Sequence, residues 1–102
     1  MTAMSFTATA LRMSSGVIVW GLHFAAIYGA TGIACARGAP QAALVAVALS
    51  TLLAVALLLP IIVWNWRRRA QFESWFAAAT AALALLAVVW EALPALWVPA
   101  CD

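Results

Sequence analysis

Two ionisable side chains sit in stretches that are otherwise apolar. His23 lies in "WGLHFAAIYG" (residues 20–29), which also holds the only tyrosine, and Glu91 lies in "WEALPALW" (residues 90–97). A titratable group within such a stretch is costly unless it faces protein, water or a ligand, so each marks candidate chemistry. For His23 that chemistry is axial ligation of haem, which an imidazole on an inward helix face can provide. The chain has one histidine, so a bis-histidine site would need a second copy or another subunit. The alternative is a neutral imidazole hydrogen-bonded to a partner helix or to headgroup water; it requires no cofactor, and none is expected. A second candidate pair is Cys35 with Cys101, the only cysteines, whose chemistry is a disulfide or thiolate metal binding.

The elements that must position these residues are apolar throughout. Hydrophobic residues make up 69% of the 102 residues and charged residues 8%, with a mean hydropathy of +1.10, far from the composition of a soluble domain. The predicted fold class is all-α and polytopic, with three transmembrane helices over about 16–36, 42–64 and 74–98 and a short N-terminal tail, 1–15. Each run reaches the roughly 20 residues that span a hydrocarbon core. The connectors "RGAPQ" (37–41) and "NWRRRAQFE" (65–73) are short, which favours antiparallel neighbours in an up-down-up arrangement, a single membrane domain.

Four of the five basic residues, Arg12, Arg67, Arg68 and Arg69, fall on one side of such a chain and only Arg37 on the other. Basic residues in short loops stay cytoplasmic, so the N-terminus is expected inside and the C-terminus outside, in a bacterial inner membrane. Trp64, Trp66 and Trp75 flank the arginine loop and Trp97 marks the opposite interface. The arginines fix topology and contact anionic lipid headgroups. They are too few for a nucleic-acid surface.

This topology puts both cysteines on the periplasmic side, where thiols are oxidised. A Cys35–Cys101 disulfide is therefore expected, reached through Val98, Pro99 and Ala100. A linear Cu(I) pair is the metal alternative, without support from spacing. Arg12, the apolar run and "ACA" around Cys35 have the outline of a signal peptide, but the core is too long and includes His23; "GIAC" has the outline of an acylation box ending at Cys35, with glycine where a larger aliphatic residue is normally wanted.

Depth separates the two charged sites. At about 1.5 Å per residue, His23 lies roughly 10 Å from a helix start at Gly16, and Glu91 roughly 24 Å beyond Trp75. On that count they do not meet; Glu91 would reach outer water or Arg37, and Pro94 would kink or end the third helix. The first helix carries Trp20, His23 and Ile27 on one stripe and Phe24, Tyr28 and Cys35 on the next, with Gly21, Ala25 and Gly29 as a small-residue ladder that permits close helix approach. Trp20, Gly21, His23, Phe24, Ala25, Tyr28 and Gly29 are thus expected to form a partner interface, with His23 and Tyr28 bonded to a neighbouring membrane subunit. The second helix offers only Ser50 and Thr51 as hydroxyls, too little for a pore, and suits the lipid bilayer. No phosphate loop, carboxylate pair or nucleophile triad is present in the sequence, so no enzyme is expected.

The pieces "VWGLHFAAIYGATGIAC" and "VVWEALPALWVPAC" resemble a family of small three-helix proteobacterial membrane proteins encoded beside cytochrome c oxidase and its assembly factors. In that pattern Trp20, His23, Phe24, Tyr28 and Cys35 form the first signature, and Glu91, Pro94 and Cys101 the second. The resemblance covers two of the three helices. It implies a setting, the biogenesis or assembly of a haem-copper oxidase, in which this chain is an accessory subunit.

Overall fold

The computed structural model of the chain describes residues 3–99 and 101. It consists of α1 (Ala3–Ala36), α2 (Pro40–Arg67), α3 (Phe72–Ala92) and one 3-10 turn, Leu93–Leu96, with no strand among the described residues. All three helices are long and apolar enough to cross a membrane. The chain is an all-α three-helix membrane protein, an up-down-up bundle 52 Å long in which each helix packs on both others.

Local chemistry sets the turns. At the end of α1, Gly38 adopts φ +68°, the left-handed conformation that glycine enters without a Cβ penalty. The Ala39 N–H then donates to the Ala34 carbonyl at 2.8 Å and the Gly38 N–H to the Cys35 carbonyl at 3.1 Å, the paired bonds of a Schellman cap. Pro40 opens α2, where its missing N–H and fixed φ suit a first helical position. Proline also ends the third helix. Pro94 has no N–H to return to residue 90, so α3 stops at Ala92 and the chain tightens into a 3-10 turn, closed by the Trp97 and Val98 N–H groups on the Pro94 carbonyl. The span expected over 74–98 therefore ends early as an α-helix.

The beginning of the chain departs more. The expected tail, 1–15, is helical from Ala3 onward; Met1 and Thr2 lie outside the described residues. This segment has no glycine or proline before Gly16, so nothing local stops a helix. α3 also runs alongside it: Arg12 lies 3.4 Å from Glu73, and the Thr80 hydroxyl reaches the Met13 carbonyl at 3.2 Å.

Packing relies on small residues, as it must where lipid supplies no hydrophobic drive between helices. Ala54, Leu58, Ala81, Ala84 and Val88 form the buried cluster, with Val19, Trp20 and Ile61 against it. Its tightest point is Gly16, where a Cβ would stand 2.6 Å from the Ala81 Cα; any side chain there forces α1 and α3 apart. Gly21, Gly29 and Gly32 have nothing within 4 Å of a built Cβ. The glycines of α1 thus divide between an internal contact and an uncovered surface.

Candidate functional site

α1 and α3 run parallel with a nearly constant offset in sequence. Contacts recur at separations of 67 for Met13 and Thr80, 71 for Trp20 and Glu91, and 66 for Cys35 and Cys101. This register brings the two ionisable residues to one level, contrary to the depth expected from the sequence. Counting from Gly16 and Trp75 as equivalent starts misplaced α1 against α3 by several residues, because α1 begins well before Gly16. Counted from Met13 beside Thr80, His23 and Glu91 stand at nearly equal heights, about 15 Å and 16 Å along their helices.

The outcome is a cluster drawn from all three helices. The Trp20 Nε1–H donates to Glu91 Oε1 at 2.9 Å. His23 Nε2 lies 3.0 Å from the Thr51 hydroxyl, and His23 Nδ1 lies 3.4 Å from Glu91 Oε2. Neither of those last two atoms makes a well-aligned hydrogen bond, although both are buried. A consistent arrangement has the Thr51 hydroxyl donating to Nε2 and a proton on Nδ1 facing the carboxylate. His23 is 3% exposed, with one ring nitrogen on Thr51 and the other towards Glu91. Axial ligation of an iron would have to displace one of these contacts.

These contacts correct two expectations. Glu91 is joined to Trp20 and His23 instead of reaching towards Arg37 or outer water. The expected interface is also split by the helix. Trp20 and His23 turn into the bundle with Ile27 and Ala34, whereas Phe24, Ala25, Tyr28 and Gly29 are exposed and Gly21 is half-buried. The Phe24 and Tyr28 rings pair at 4.5 Å on that outer face. His23 accordingly bonds within its own chain and presents nothing to a neighbour.

Cys35 and Cys101 form a disulfide, with Cα atoms 5.3 Å apart, as expected from the sequence; Ala100, part of the expected approach, lies outside the described residues. Beneath the bond is a cavity of about 650 Å³ between α1, the start of α2 and the 3-10 turn. Ile27, Tyr28, Thr31, Gln41, Glu91 and Pro94 are among its walls. The cavity follows from the turn chemistry. The Schellman cap ties α1 to α2, Pro94 ends α3 short of them, and the disulfide draws the tail back to α1. Glu91 joins this cavity to the buried His23.

At the other end, Arg68 lies over the Trp64 ring at 4.3 Å and Arg69 over Trp66 at 4.8 Å, so these arginines stack on interfacial aromatics. Arg67 ends α2. Asn65, expected in the second connector, is 3% exposed inside α2, its amide donating to the Ile61 carbonyl at 2.8 Å. Thr51, too little for a pore, serves here as a polar partner. Its signal was present: a hydroxyl amid Ala, Leu and Val in a membrane helix needs a polar partner, and His23 is one.

Fold and site together define a three-helix membrane protein whose only histidine and one carboxylate are bound to each other's helices under a disulfide-capped cavity. Compared with protein-family models, curated proteins and solved structures, the chain has no match.

Proposed function

We propose that this chain is a small accessory or assembly subunit of a larger membrane complex, and, following the resemblance carried by "VWGLHFAAIYGATGIAC" and "VVWEALPALWVPAC", that the complex is a respiratory one built around a haem-copper terminal oxidase. The observation that carries the reading is the outward half of α1. Phe24 and Tyr28 are 43% and 63% exposed, and beside them a Cβ at Gly21 or Gly29 would meet open space among the described residues. Aromatic rings next to bare helix backbone let a neighbouring transmembrane helix approach closely and gain dispersion contact over a large area. The polar residues at the cluster are engaged in joining this chain's own helices, which favours a scaffold over a catalyst. The arginine distribution supports a cytoplasmic N-terminus and a periplasmic C-terminus in a bacterial inner membrane.

The test is affinity isolation of tagged variants in mild detergent. Gly21→Leu and Ala25→Leu are expected to lose most of the co-purifying oxidase subunits, while His23→Ala, a change inside the bundle, retains them. Retention by both leucine variants would move the interface off this face. Haem absorbance in the purified protein that disappears in His23→Ala would instead make the chain a haem-binding module.

A further inference from the structure

The cavity at the disulfide end is unused by the reading above. We propose that it binds a neutral, membrane-soluble ring bearing a hydroxyl, a phenol-type molecule whose O–H donates to the Glu91 carboxylate.

Size and preorganisation come first. About 650 Å³ lies within the range of small-molecule sites, and the walls are mostly apolar with a few convergent polar groups, the usual composition of such sites. Its three sides are fixed by a Schellman cap, a proline-ended helix and a covalent bond, so a ligand need not order them.

The polar groups then select the ligand. No arginine, lysine or histidine is among the lining residues, so a phosphate or carboxylate head would enter without a counter-charge. Among the described lining residues Glu91 is the one charged group, its side chain 19% exposed. A carboxylate has about four acceptor positions, of which Trp20 takes one and His23 faces another. Acceptor capacity remains, and it calls for a donor. Glu91 already faces the His23 ring, so a neutral donor completes the carboxylate without importing a further charge into a low-dielectric site. Thr31 and Gln41 can bond a second ring oxygen, while Ile27 and Pro94 supply flat apolar contact.

The experiment uses the full chain in lipid nanodiscs with the disulfide intact, titrated calorimetrically with 4-decylphenol. Saturable binding of one molecule per chain is expected, at least tenfold weaker for 4-decylanisole, which keeps the tail and lacks the donor. Glu91→Gln is expected to weaken 4-decylphenol about tenfold, and Ala95→Phe, which fills the cavity from the 3-10 turn, to abolish binding. Circular dichroism and thiol alkylation check that both variants keep the helices and the disulfide. Equal binding of the anisole, unchanged binding in both variants, or tighter binding of decylamine than of the phenol would overturn the proposal. Free phenols and membrane-borne hydroquinones share this chemistry. Affinity that grows from 4-ethylphenol to 4-decylphenol beyond simple partitioning identifies the membrane source, and equal affinity the aqueous one. The site requires no partner subunit, so its failure leaves the proposed complex untouched, and the reverse holds too.

Discussion

Two regions of the bundle both bury polar side chains and use them differently. Near mid-bundle, on the disulfide side of the arginine end, Trp20, His23, Thr51 and Glu91 come from three helices and meet across them. At the arginine end the contacts are mixed, some within one helix and some between α1 and α3. Asn65 donates to its own helix, Thr80 divides its hydroxyl between Met13 and the Phe76 and Ala77 carbonyls of its own helix, and the ion pair of Arg12 with Glu73 is 34% and 40% exposed. Buried Asn65 Oδ1 and Ser74 Oγ have no partner among the described residues. The lesson concerns specificity. Bonds between helices fix which residue of α1 meets which residue of α3, while bonds within a helix leave that choice open.

The comparison can be broken at its strongest point first. A loop closed over 66 residues contributes up to about 4 kcal/mol in the chain-entropy model. Cys35→Ser with Cys101→Ser is expected to cost about 2 to 4 kcal/mol, read as a lowered unfolding temperature in detergent and absent when the wild type is reduced. An unchanged transition would mean that the noncovalent contacts alone hold the disulfide end together.

Next comes the cluster. Glu91→Leu leaves the half-buried Trp20 Nε1–H without its acceptor and the buried His23 Nδ1 without the carboxylate it faces, with an expected loss of about 1 to 3 kcal/mol. Thermal denaturation of the single variant and of Glu91→Leu with His23→Leu measures it. Removing both partners is expected to recover part of the loss, since an apolar pair leaves fewer orphaned groups. No recovery would argue that His23 and Glu91 act independently.

The smallest effect belongs to the arginine end. Arg12→Ala or Glu73→Ala should change stability by no more than about 0.5 kcal/mol, because a pair this exposed is screened and gains little. A double-mutant cycle across the same denaturation assay checks the coupling. A loss as large as that of Glu91→Leu would erase the distinction between the two regions.

The three spans were legible because membrane-length apolar runs are set by composition, and the disulfide because short arginine loops place both cysteines on one side. The pairing of His23 with Glu91 was not legible. It depends on where α1 begins, and "AMSFTATALRMSS" reads as a polar tail until α3 is known to lie beside it. A shift of several residues in one helix start moved Glu91 by more than the length of a side chain. The inward turn of His23 and the outward turn of Tyr28 were written in their spacing along α1, but which stripe faces the bundle is decided only by the neighbours each stripe finds.

The bond between Cys35 and Cys101 also counts membrane crossings. It joins the far end of the first span to the far end of the third, and those ends share a compartment only when the chain has crossed an odd number of times. A chain whose second or third segment failed to insert would strand the two thiols on opposite sides of the bilayer. The closed bond is therefore a parity check on insertion, legible by gel mobility without reduction.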